Sequence, residues 1–142
     1  MDRDGHRSGR EHRRRAAAFH AEALDRRREA EAGEARRLIT AFVTAARERG
    51  IAPEPLVARS YSNGATYSTK LRGWYIRSDR TLAVGDDGQY YVLTVPGGWR
   101  TRLTGASVAP SQPPLVVGVG ARDGESRALA DLLRDRLEQA QP

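Results

Sequence analysis

Apolar positions recur along this chain with two different periods, and the change of period divides it. From Glu11 to Arg49 the residues are mostly Ala, Arg, Glu and Leu, all strong helix formers, interrupted by Gly33. This predicts one helix, or two meeting near Gly33. In the second half of the stretch Leu38, Ile39, Phe42, Val43 and Ala46 fall at the spacing of an amphipathic helix packed on a core. The first half has only Phe19 and Leu24 as large apolar residues, too few for a core-facing stripe. Residues 1–33 therefore read as an Arg-rich, partly disordered helical arm. In it Glu11 with Arg14 and Arg15, Glu22 with Arg26, and Asp25 with Arg28 stand at ion-pair spacing. Gly50 supplies a left-handed cap, Ile51 folds back on the last turn, and Pro53 and Pro55 forbid continuation, so the helix should end at Arg49.

After Pro55 the period becomes two. Predicted strands are Leu56–Ser60, Gly73–Arg77, Thr81–Gly85, Gln89–Val95, Trp99–Leu103 and Leu115–Val119. Turn residues separate them: Asn63-Gly64, Ser78-Asp79-Arg80, Asp86-Asp87-Gly88 and Pro96-Gly97-Gly98. Residues 73–95 then form a three-stranded antiparallel meander. The prolines of 109–114 impose an extended connection. Asp123 or Ser126 is positioned to cap a last helix carrying Leu129, Leu132, Leu133 and Leu137 on one face. The expected fold class is α+β: an N-terminal helix, an antiparallel sheet of about five strands and a C-terminal helix, with residues 34–142 as one domain. Both helices should cover one sheet face, made of Trp74, Ile76, Leu82, Val84, Tyr91, Leu93 and Val95. A small barrel is the competing architecture.

Composition narrows the chemistry. The 142 residues include no cysteine, which excludes disulfides, thiolate metal sites and a cysteine nucleophile. Residues 1–15 are too polar for a secretory signal, and no segment is apolar enough to span a bilayer, so a cytoplasmic location without membrane association is expected. The net charge of +6 is spread over arm and body, with 13 Arg against 9 acids in residues 1–49. Lys70 is the one lysine among 24 basic residues, which signals coding bias before any preference for guanidinium chemistry.

No catalytic constellation emerges. Leu115-Val-Val-Gly118-Val-Gly120-Ala-Arg-Asp123 has the parts of a phosphate loop, but Asp123 stands where a dinucleotide fingerprint needs glycine and no second parallel strand follows. His6, His12 and His20 lie in the arm without a chelating spacing. Glu54, Asp79, Asp86, Asp87 and Asp123 occupy turns or connections, where carboxylates serve local hydrogen bonding. No cofactor, metal or small-molecule substrate is inferred.

The strongest candidate surface is the sheet face opposite Trp74. Strict alternation directs Tyr75, Arg77 and Tyr90 outward, joined by Arg100 and Arg102, in the mixture of rings and guanidinium groups on which unpaired bases stack. Arg13, Arg14 and Arg15, and Arg26, Arg27 and Arg28, form two basic clusters on the arm, each diluted by nearby acids. The expectation is a small non-enzymatic binding module that engages a protein partner or a second copy of itself. The alternative is a nucleic-acid-associated protein using the Tyr/Arg face and the arm.

Overall fold

The computed structural model describes residues 3–97, 106–118 and 126–139. Its elements are α1 (Arg3–Glu48), β1 (Glu54–Ser60), β2 (Thr66–Tyr75), β3 (Leu82–Gly85), β4 (Tyr90–Val92), β5 (Thr94–Val95), β6 (Val116–Val117), β7 (Arg127–Ala128) and α2 (Leu129–Gln139). A five-stranded, mostly antiparallel sheet between an N-terminal and a C-terminal helix makes the fold α+β, as the periodicity implies. The predicted strand at Trp99–Leu103 and the glycine loop beyond Gly118 lie outside the described residues.

Helix α1 runs unbroken through Gly33. Between Gly5 and Glu31 the side chains described are exposed, apart from half-buried Gly9 and Ala23, and burial begins at Ala32. From there Ala35, Ile39, Phe42 and Ala46 enter the core, the stripe legible in the sequence. The helix ends as its cap residues require: Ile51 N–H donates to Ala46 O (2.9 Å), Gly50 N–H donates to Arg47 O (3.1 Å), and Gly50 takes a φ of 71°. The expected ion pairs of the arm are absent among the described residues. Instead Arg26 Nε donates to the Glu22 carbonyl and Arg13 Nε to that of Gly9, one hydrogen bond each back to the helix itself.

The sheet order is β4-β3-β2-β1-β5. Pairs β1–β2, β2–β3 and β3–β4 are antiparallel, so the expected meander is present as far as Val92, whereas Thr94 and Val95, expected in its third strand, form β5 and pair with β1 in parallel. One continuous segment, 90–95, therefore serves both edges. Leu93 N–H donates to Thr81 O (2.8 Å), while Leu93 O accepts from Arg59 N–H (2.8 Å), so the sheet curls until its edges meet at this residue. This barrel-like curl buries both sheet faces. Its convex face carries Trp74, Ile76, Leu82, Val84 and Tyr90 against α1 and α2. Its concave face encloses Leu56, Tyr75, Ala83, Tyr91 and Leu93.

Two expectations are corrected here. The covered face contains Tyr90, while Tyr91 and Leu93 lie on the concave face and Val95 joins neither core, because β4 pairs Tyr90 with Val84 and Tyr91 with Ala83, one residue out of the predicted phase. Ser126 does not cap α2. Strand β7 intervenes, the helix starts at Leu129, and Leu129 N–H is bonded to Leu115 O (2.8 Å). Strand β6 pairs with β7 in a separate two-stranded ribbon and does not join the main sheet.

Trp74 locks helix to sheet. Its indole N–H donates to Ile51 O (2.9 Å), just beyond the end of α1, and Phe42 meets its ring edge-on at 5.8 Å. Gly73 and Gly85 face one another across β2 and β3, and a Cβ on Gly73 would overlap the Val84 carbonyl and the Gly85 backbone. Among the described residues no helix is long and apolar enough to cross a membrane.

Two substitutions test this packing. Phe42→Ala is expected to lower the unfolding free energy by about 3–5 kcal/mol. Gly73→Ala, a single methyl placed against backbone that cannot give way, is expected to cost about 3 kcal/mol or more. Denaturant unfolding measures both, and a Gly73→Ala protein as stable as the wild type would refute the close crossing.

Candidate functional site

The residues expected to form an outward Tyr/Arg platform do not share a surface. Tyr75 is 8% exposed and Tyr90 4% exposed, and they lie on opposite faces of the sheet. The reason is the curl: a closed sheet leaves its inner face no solvent, so alternation places Tyr75 in one core and the phase of β4 places Tyr90 in the other. The Tyr75 hydroxyl accepts from Val57 N–H (2.8 Å) at the irregularity in β1. Burial pushes the Tyr90 hydroxyl pKa up, partly offset by the nearby Arg77 charge. Arg100 and Arg102 lie outside the described residues. Arg13, Arg14, Arg15, Arg26, Arg27 and Arg28 are all exposed along the arm, distant in sequence from the sheet.

Arg77 does reach a concave site, one the sequence did not reveal. A cleft of about 490 Å³ opens between the β2–β3 turn, the β6–β7 ribbon, the start of β1 and the flank of α2. Ile76, Val117 and Leu132 give it an apolar floor. Arg77, Arg80, Arg127 and Arg136 converge on it, accompanied by Glu54, Asp79 and Asp135. Each guanidinium comes from a different local device. Arg77 Nε lies 3.2 Å from Asp79 Oδ2 within the turn. Arg127, on β7, bonds Asp135 on α2. Arg136 Nε donates to the Tyr75 carbonyl (3.0 Å), reaching from α2 to the last residue of β2.

Arg80 differs from the others. Its φ of 61° places a non-glycine residue in the left-handed region, at a cost of about 1–2 kcal/mol. The surrounding turn over-determines that conformation: Arg80 N–H donates to Arg77 O (3.0 Å), and Asp79 Oδ1 accepts from both Thr81 N–H (3.0 Å) and Thr81 Oγ1–H (2.6 Å). The result is a guanidinium held 5.4 Å above the Tyr75 ring, at the edge of the cleft. Glycine would adopt this backbone without strain, whereas arginine adds a positioned cation.

The other carboxylates are structural. Asp86 and Asp87 form the β3–β4 hairpin tip, as their flanking glycines imply, with Gly88 at a φ of 80°. Asp87 Oδ1 accepts from Gln89 N–H (2.9 Å) and Oδ2 from the Tyr91 hydroxyl (2.5 Å), while the Asp86 carbonyl holds Arg47 at 2.9 Å. Burial, the bond to Asp87 and the two carboxylate charges push the Tyr91 pKa up to about 12. Among the described residues no cluster of His, Asp or Glu is arranged to hold a metal ion.

Comparison of the chain with protein-family models, with curated proteins and with solved structures finds no match.

The Tyr91 contact sets a pH window. The folded state holds this proton more tightly than the unfolded chain, whose tyrosine titrates near 10, so the stabilisation is complete below pH 10 and lost as pH climbs toward about 12. Unfolding measured across that range should show stability falling with a slope that Tyr91→Phe reduces. An unchanged slope in Tyr91→Phe would contradict the assignment.

Proposed function

We propose that this protein is a non-enzymatic binding module whose Arg-lined cleft takes a carboxylate-bearing segment of a partner protein. The observation that carries this reading is the convergence of Arg77, Arg80, Arg127 and Arg136 on one concave, apolar-floored site. Planar guanidinium groups suit carboxylates, and an apolar floor gives a neighbouring side chain a place to be buried. The strained backbone of Arg80 supports the same reading, since the turn maintains a charged residue where glycine would be the easier choice.

Mixed charge at the rim favours a peptide over a polyphosphate. Glu54, Asp79 and Asp135 share the lining with the arginines, Asp79 paired with Arg77 and Asp135 with Arg127, so a uniform chain of phosphates meets repulsion, whereas acidic anchors flanked by neutral or basic residues meet complementary groups. With Tyr75 and Tyr90 buried, the sheet also offers no stacked-base platform from those two rings. Binding is favoured over catalysis because all three histidines of the chain belong to the arm and there is no cysteine.

The test is fluorescence polarisation with a labelled peptide carrying alternating Asp and Glu, its Asn/Gln counterpart, and single-stranded RNA, at about 50 and 200 mM salt. The acidic peptide should bind, weaken with salt, and lose about tenfold or more in affinity to Arg80→Gly, a variant whose stability stays within about 1 kcal/mol of wild type because backbone strain is relieved as the cation is removed. Equal binding of the neutral peptide, or retention of acidic-peptide binding by Arg80→Gly, would overturn the cleft as the site. RNA binding in the absence of peptide binding would support the nucleic-acid alternative through the arm.

A further inference from the structure

The four guanidinium groups of the cleft differ in what they already hold. Arg77 Nε lies 3.2 Å from Asp79 Oδ2, and Arg127 on β7 is bonded to Asp135 on α2. Arg80 and Arg136 form no ion pair among the described residues. Both border Tyr75 instead. Arg80 stands over its ring at 5.4 Å, and Arg136 commits its Nε–H to the Tyr75 carbonyl, which leaves the donors of its two terminal nitrogens for a ligand.

The charge of the lining is nearly balanced. Arg77, Arg80, Arg127 and Arg136 stand against Glu54, Asp79 and Asp135, a net of +1. That excess matches one carboxylate. A second ligand carboxylate has to take Arg77 or Arg127 from a partner on the same chain. Asp79 is fixed beside Arg77 by the bonds that its other oxygen, Oδ1, accepts from Thr81, so it competes as a tethered group at an effective concentration on the order of millimolar. Asp135, presented by α2, competes for Arg127 in the same way. Glu54, exposed at the start of β1 and without an ion pair among the described residues, adds repulsion against any further anion.

We propose that the cleft reads a single carboxylate, at Arg80 and Arg136, and that Asp79 and Asp135 are the residues that exclude a second. The inference rests on the cleft being a peptide site and narrows its ligand to a segment with one isolated Asp or Glu beside a large apolar side chain. Ile76, Val117 and Leu132 receive that side chain. An acidic run gains nothing from its additional charges. A phosphoserine, with a charge of about −1.5 to −2 at pH 7, brings more than the lining neutralises.

Fluorescence polarisation with three labelled peptides on one Ser/Gly frame tests this: Glu beside Leu, Glu on both sides of Leu, and phosphoserine beside Leu. Each is titrated into the full chain, Asp135→Asn and Asp79→Asn. Both substitutions keep side-chain size and raise the net charge of the lining by one, and in Asp79→Asn the amide oxygen still accepts from Thr81. In the wild type, the second Glu and the phosphate should each strengthen binding by less than about threefold. In either variant, the two-Glu and phosphoserine peptides should gain about fivefold or more relative to the single-Glu peptide. A larger gain in the wild type, or variants that keep the wild-type ratios, would overturn the selectivity and leave the peptide site standing. Failure of all three peptides to bind the wild type, or binding that Arg80→Gly retains, would overturn the site itself.

Discussion

The backbone of Leu93 is where the sheet stops being a layer and becomes an enclosure. Its N–H is committed to Thr81, immediately before β3, and its carbonyl to Arg59 on β1, so the sheet cannot flatten without breaking one of the two bonds. A flat five-stranded sheet covered by two helices would leave one face in water. The curled sheet builds a second small core from Leu56, Tyr75, Ala83, Tyr91 and Leu93 inside its own concavity, and has no wet face to offer across the meander. That constraint explains why the tyrosines are structural. It also explains why the cleft lies at the margin, where the β2–β3 turn and α2 leave a gap.

The outer core answers a different need. Trp74 is fully buried and carries a polar N–H that must be satisfied, and the carbonyl that satisfies it belongs to Ile51, just past the Gly50 cap of α1. The cap therefore does more than end a helix: it fixes the acceptor that seats the largest side chain in the sheet. Arg47, one turn earlier, grips the hairpin tip through the Asp86 carbonyl. The C-terminal end of α1 is thus attached to the sheet at two points, while the described side chains from Arg7 to Glu31 make no hydrogen bond or ion pair with the body.

Much of this was legible in the sequence. The helical stripe from Leu38 to Ala46, the Gly50 cap, the three-strand meander and the hairpin tip at Asp86-Asp87 each rest on local signals, and local signals survive folding. What failed were inferences that needed the third dimension. Alternation says which residues share a face, but Tyr90 and Tyr91 are adjacent and identical, so nothing local fixes the phase of β4; the pairing with Val84 and Ala83 does. Closure at Leu93 depends on a parallel contact with β1 more than thirty residues earlier, for which the chain carries no local mark. The cleft draws on β1, β2, β7 and α2, and its one local trace is Arg80 in a turn where Asp79 sets the geometry. Ser126 looked like a cap because the short strand ahead of α2 has no pattern of its own.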